Sequence, residues 1–99
     1  MPYVWDEEKN RINLVKHGIR FELAVRAFED PHVVSRYQGY ESGEHRYQIL
    51  GLVNGMTILF VAFTDRQVGL SEAVTRIISA RRADPAERRV YEEERRSHR

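Results

Sequence analysis

The dipeptide Asn54-Gly55 constrains this chain more than any other feature. It separates two β-rich runs, Arg46 to Val53 and Met56 to Thr64. A type I′ turn needs positive φ at both central residues, which Asn and Gly tolerate, so the dipeptide predicts a β-hairpin. Upstream the apolar period is helical instead. Phe21, Ala24, Val25 and Phe28 form an i, i+3, i+4, i+7 set, the buried stripe of a helix over about 21–29. Asp30-Pro31 ends that helix.

An earlier helix is predicted over 6–17. Asp6 suits the N-cap, and Glu7 and Glu8 complement the dipole in the first turn. Lys16 and His17 fall in the last turn, and Gly18 suits a left-handed stop. Ile12, Val15 and Ile19 give it an apolar stripe. Tyr3-Val4-Trp5 reads as a short strand before it, and Val33 to Tyr37 as a strand after the second helix. Gly39 to Glu44 reads as a polar loop, 65–72 as another loop, and Val74 to Ala80 as a last strand. Asp84-Pro85-Ala86-Glu87 opens a final helix: a cap, a first-turn proline, and a glutamate three residues after the cap. Its apolar face is thin, only Ala86, Val90 and Tyr91, so it is peripheral or completed by a partner. Helices followed by strands imply an α+β domain with a mostly antiparallel sheet. Two N-terminal helices would cover one face, a C-terminal helix would follow, and the other face would stay partly open for a site. One domain is expected over 1–94, with 95–99 a frayed tail.

The chain has no cysteine, so disulfides and thiolate metal sites are excluded, in keeping with a reducing cytoplasm. Its start, Met1-Pro2-Tyr3-Val4-Trp5-Asp6, reaches an acid at once and shows no signal-peptide run. No stretch approaches the ~18 apolar residues of a membrane span. The 16 basic and 15 acidic residues nearly balance, so net charge makes no case for a polyanionic partner. All the bases except Lys9 and Lys16 are arginines, which suit bidentate phosphate and carboxylate contacts.

Regular alternation on the last strand puts Arg76, Ile78 and Ala80 on one face and Ile77, Ser79 and Arg81 on the other. Its arginines either bind phosphate and stabilise a phosphoryl transition state, or pair with nearby acids at solvent-exposed strand ends. Arg46 either joins the same cationic pocket or pairs with Glu44 or Glu41. His17 either carries a proton or simply complements the helix dipole. Trp5 stacks a base or, more in keeping with its place before a helix, packs in the core. Tyr37, Tyr40 and Tyr47 have the ring faces to stack bases of single-stranded RNA, but as strand residues need no such role. Glu92 is an acid–base group or a solvated charge. His32, His45 and His98 lack metal-site spacing, and neither a metal nor a cofactor is expected.

Two stretches carry a family resemblance. Trp5-Asp6, Lys9-Asn10 and Lys16-His17-Gly18 lie near the start, with Phe21, Asp30, Glu44 and Arg46 following. Ile77 to Arg82, Glu87-Arg88 and Tyr91-Glu92 lie near the end. Together, over about residues 3–93, they resemble the BrnT family, the toxins of BrnT–BrnA type II toxin–antitoxin pairs. The chain departs from that pattern at Arg20, where a serine-like cap is expected, and in a longer stretch at 65–73. The resemblance implies a RelE-like fold and a small, metal-independent ribonuclease that stops translation. It implies a cognate BrnA-like antitoxin that binds operator DNA and joins the toxin in a 2:2 heterotetramer. It implies Arg46, Arg81 and His17 as catalytic residues, with Lys16, Arg76 and Arg82 holding flanking phosphates. Two readings compete with it: a catalytically degenerate module that acts only as co-repressor, and a phosphate- or nucleotide-binding domain unrelated to RNA cleavage.

Overall fold

The structure, a computed structural model, describes residues 3–68 and 72–97. Its elements are β1 (Tyr3–Val4), α1 (Glu7–His17), α2 (Phe21–Ala27), β2 (Val34–Glu41), β3 (Glu44–Val53), β4 (Thr57–Val68), β5 (Glu72–Arg82) and α3 (Pro85–Ser97). The strands form one sheet in the order β1-β5-β4-β3-β2. Only the β1–β5 pair is parallel; the others are antiparallel. This is the α+β architecture expected from the sequence. His98 and the end of the expected frayed tail lie outside the described residues, and α3 runs on to Ser97.

The α1 helix is capped as its sequence predicts. The Asp6 carboxylate accepts from the backbone N–H groups of Glu8 and Lys9, and Gly18 closes the helix at φ 72°. Its buried face is not the expected one. Ile12 is 51% and Val15 82% exposed, and only Ile19, beyond the helix, is buried. Asn10 and Asn13 face inward instead. The reason is the edge of β5, which β1 covers only at Thr75 and Arg76. Beyond that point the Asn13 amide takes the place of a strand. Its Nδ2 donates to Ala80 O at 2.8 Å and its Oδ1 accepts from Ala80 N at 3.2 Å. The same Nδ2 donates to Ile19 O. Asn10 supplies the cap that Arg20 does not: its Oδ1 accepts from Phe21 N at 2.8 Å, and its Nδ2 donates to Glu22. That hydrogen bond from Asn10 is the main cause holding the Glu22 carboxyl below its ordinary pKa.

The α2 stripe is as predicted. Phe21, Ala24 and Ala27 are buried against Ile49, Val53, Leu59, Val61, Phe63, Ile77 and Ala80, with Val25 and Phe28 partly buried beside them. Trp5 also packs on this cluster, edge-on to Phe21, so the core reading of that residue holds. The helix end lies so close to β3 that a Cβ at Gly51 would come within 2.2 Å of Ala27 O.

The Asn54-Gly55 hairpin forms with positive φ at both residues, 55° and 68°. The other loops are shorter than the sequence suggests. The expected loop 39–44 is mostly strand, since β2 continues to Glu41 past a bulge between Tyr37 and Gly39. The chain reverses at Ser42-Gly43, again with positive φ at both. An edge strand buries little on either side, so its polar sequence looks like a loop. Likewise β4 and β5 stay paired to Val68 and Glu72, so only 69–71 of the expected loop fall between them, outside the described residues.

The β5 strand carries a second correction. Phe63 pairs with Ile77 and Ala62 with Ser79, leaving Ile78 as an extra residue. Ile77 and Ala80 therefore share the helix-covered face, not opposite faces. On the other face Arg76 lies opposite Thr64 and Arg81 opposite Phe60.

Asp30 joins the layers. Its Oδ2 accepts from Leu52 N at 2.7 Å and from Tyr91 OH at 2.5 Å, and its Oδ1 accepts from His32 N. Burial pushes this carboxyl up, but the hydrogen bonds from Tyr91, Leu52 and His32 outweigh it, and the net pKa falls below the ordinary value. Tyr91 is driven the other way, upward, by burial and by the Asp30 carboxylate.

Two outcomes follow. Asn13→Ala strands the Ala80 N–H and C=O in a buried setting, so urea unfolding should show a loss of about 2–4 kcal/mol; an unchanged midpoint would remove Asn13 from this role. Asp30 has a folded-state pKa below its unfolded value of about 4, so its stabilisation is complete above that pH and is lost as pH falls through the folded value. Tyr91→Phe should lower stability at neutral pH by roughly 1–2 kcal/mol and flatten the acid-side decline in unfolding measured against pH. A parallel decline in both proteins would mean that Tyr91 does not set the Asp30 pKa.

Candidate active site

The face of the sheet opposite α2 is covered at one end only. There Tyr91, fully buried, packs on Leu50, Ile58 and Ala83, with Val34, Leu52 and Phe60 around it. The start of α3 is held by a reciprocal capping box. Glu87 N donates to the Asp84 carboxylate and Asp84 N to the Glu87 carboxylate, each at 2.8 Å. Glu87 also grips Arg81 with both oxygens, at 2.8 and 2.9 Å. The Arg81 guanidinium sits 4.2 Å above the Phe60 ring. The hydrogen bonds of this pair lower the Glu87 pKa and raise that of Arg81.

At the other end of the same face, Arg46, Thr64 and Arg76 stand side by side on β3, β4 and β5. Arg76 Nη2 donates to both oxygens of Glu44 at 2.5 Å. Glu44 lies two residues before Arg46 on β3, and so on the same face. Among the described residues Arg46 enters no salt bridge, with Glu44 or with Glu41. Among the described residues, the buried side-chain polar atoms without a hydrogen-bond partner are Arg46 Nε, Thr64 Oγ1 and Arg76 Nε. All three belong to this single row. Such groups each cost about 1–3 kcal/mol when left unpaired, so three together are not a feature that folding alone would favour. Between this row and the Leu50–Phe60–Arg81 row lies a lower one of Gln48, Ala62 and Ser79. Along β4 the arginine row and Arg81 are four residues apart, on the order of 13 Å.

The six residues singled out from the sequence thus divide. Arg46, Arg76 and Arg81 share the open face. Arg82 lies opposite Leu59, on the face that α2 covers. Lys16 and His17 stand on the last turn of α1, which packs against β5. Among the described residues, no hydrogen bond or salt bridge joins His17 to Arg46, Arg76 or Arg81. Glu92 is exposed on α3. Thr64, the ionic partner of Arg76 and the clamp on Arg81 are not legible in the sequence, because each depends on cross-strand register. The nearest available signal was the capping-box glutamate, Glu87. Grooves lie beside Pro31 to Ser35 and between α1 and α2, and a small hollow on the open face is lined by Arg36, Gln48, Leu50 and Phe60. Among the described residues no three His, Cys, Asp or Glu side chains cluster as a metal site, and no helix is long and apolar enough to cross a membrane.

Comparison with known proteins bears on the fold and the family. The crystal structure of the Brucella abortus ribonuclease toxin BrnT superposes with a TM-score of 0.60 at 29% identity, covering 85% of this chain and 97% of that one. No match is found among curated proteins. The model of the family described as the ribonuclease toxin BrnT of type II toxin–antitoxin systems matches residues 5–87. With that span covering most of the sequence and the fold shared, the chain belongs to the BrnT family.

Proposed function

We propose that this protein is an endoribonuclease toxin that cleaves RNA without a metal and thereby halts translation in the cytoplasm. A cognate BrnA-like antitoxin neutralises it, the two form a 2:2 complex, and operator DNA is reached only through the antitoxin. Beside family membership, the observation that carries this reading is the row Arg46–Thr64–Arg76, with three buried polar groups unpaired on the face that α3 leaves open.

In the reaction, the RNA 2′-oxygen attacks the adjacent phosphorus and the bond to the 5′-oxygen breaks. The 2′-hydroxyl proton passes to a base and the leaving 5′-oxygen gains one. The products are a 2′,3′-cyclic phosphate and a 5′-hydroxyl. Charge grows on the phosphoryl oxygens in between, and fixed donors aimed there lower the barrier. Arg46 fills that role, since its guanidinium is committed to no carboxylate. Arg76 and Arg81 hold flanking phosphates by exchanging Glu44 and Glu87 for them. Glu44 is the carboxylate of the reacting face and the acceptor for the 2′-hydroxyl proton. His17, the proton carrier suggested by the sequence, belongs to α1 and would have to reach the substrate from the helical side. Lys16 and Arg82 are placed likewise and would meet RNA that extends past the β5 edge.

Purified protein in EDTA should cut single-stranded RNA to cyclic-phosphate ends, and Arg46→Ala should lower kcat by about 100-fold or more. Arg81→Ala should cut less deeply into kcat but also lower the melting temperature, because it removes the ion pair that ties the start of α3 to β5. Full cleavage by a folded Arg46→Ala/Arg81→Ala double variant would overturn the site. Glu44→Gln should slow cleavage by about 10²–10⁴; a larger loss from His17→Ala would return proton transfer to α1. A folded wild type with neither cleavage nor growth arrest would leave the co-repressor reading.

A further inference from the structure

The β2–β3 hairpin carries a second surface, on the face opposite Arg46. The cross-strand pairs Tyr37–Tyr47 and Tyr40–His45 place four rings there. Tyr40 meets His45 with ring centres 4.9 Å apart. Tyr37 lies 5.7 Å from His45 and 5.4 Å from Tyr47, and the Tyr37 hydroxyl shares a hydrogen bond of 2.8 Å with His45 Nδ1. Tyr47 then stacks on Phe63 with an interplanar angle of 24°. Phe63 continues to Phe28 and Phe28 to Tyr3. A column of rings therefore runs from the core to the tip of the hairpin. Its outer members stay in solvent: Tyr37 is 53% and Tyr40 66% exposed.

These two rings contribute little burial to the fold, yet their positions are fixed. The turn at Ser42-Gly43 and the Glu41–Glu44 pair hold the hairpin closed to its tip. Ring contacts and the hydrogen bond to His45 hold the tyrosines from below. Rigid, exposed aromatic faces at low conformational entropy are what base stacking needs. Cations stand on the same two strands: Arg36 pairs across from Gln48, and Arg46 lies opposite Gly39. Gly39 has no side chain, and a Cβ placed on it would meet nothing within 4 Å. It is a low point on the β2 edge between the tyrosines and the arginine row. Glu41 is the acid next to the tyrosines, at the far end of the hairpin.

We propose that Tyr37 and Tyr40 form a stacking platform for bases of single-stranded RNA, whose backbone crosses the β2 edge at Gly39 to reach Arg46. This rests on the ribonuclease reading and adds to it a binding subsite on the second face of the sheet. A nucleic acid fits better than a protein partner. The rings are separate faces among Ser35, Gln38, Glu41 and Ser42, not a continuous apolar patch, and arginines for the phosphates stand on the other face of the same two strands.

The test uses the full chain and a short single-stranded 2′-O-methyl oligoribonucleotide, which cannot be cut, with an abasic strand of equal length as control. Binding is read by fluorescence anisotropy. Tyr37→Ala/Tyr40→Ala should weaken binding by about tenfold per ring, and Tyr37→Phe/Tyr40→Phe by no more than about twofold. The abasic strand should bind the wild type weakly and be indifferent to the alanine changes. If the alanine variant binds like the wild type while Arg46→Ala does not, the platform is overturned and the ribonuclease reading stands. If the wild type neither binds nor cuts RNA, the ribonuclease reading falls and the platform with it. If the alanine variant keeps RNA but loses the cognate antitoxin, the tyrosines are a protein contact and the platform is overturned.

Discussion

Ile77 and Ala80 both lie beneath α2, three positions apart on one strand, and a regular strand cannot put both there. The bulge at Ile78 resolves the conflict by inserting one unpaired residue. Burial of the two side chains is the driving force, since each fills part of a core that also holds Val61 and Phe63. The consequence appears on the other face. Without the extra residue, Arg76 and Arg81, five positions apart, would point to opposite sides. With it, both project from the face that carries α3, Arg76 in the row with Arg46 and Arg81 against Phe60 beside the start of α3. A packing requirement on one side of the sheet thus sets the electrostatics of the other.

The layers around this sheet are joined as much by polar side chains as by apolar contact. Asn13 fills the place of a strand, Asn10 the place of an N-cap, and Asp30 the place of the residue that would precede β2 opposite Leu52. Each joins separate elements, and each meets a backbone group that would otherwise stay open. Satisfied buried networks of this kind specify one arrangement, because any slip leaves backbone groups unpaired. They also explain how α3 stays in place with only Tyr91 buried: its hydroxyl ends on the same carboxylate that secures Leu52.

Periodicity and turn chemistry made much of this fold legible. Asn54-Gly55, the α2 stripe, the Asp6 and Gly18 caps and the Asp84–Glu87 box all read correctly, because each is local. What failed was not local. The α1 stripe of Ile12 and Val15 suggested burial, but two asparagines answer an open strand edge that only the tertiary fold creates. The Ile78 bulge leaves no mark on composition, so alternation misassigned the faces of β5. The candidate site suffered for the same reason. Its arginines could be named, whereas Thr64, Glu44 and the division of Lys16, His17 and Arg82 from the open face follow from register.

The two borders of the sheet are not alike. On one side β1 offers only two residues, and further along β5 the Asn13 amide occupies the backbone groups of Ala80. On the other, β2 presents an eight-residue strand with which no described strand pairs on its outer side. Of the two outer strands β2 is by far the longer, so strand addition is favoured on its border. Two copies joined β2 to β2 about a twofold axis would use both borders up and stop. Association through that long border closes on itself, because each copy spends it on the other.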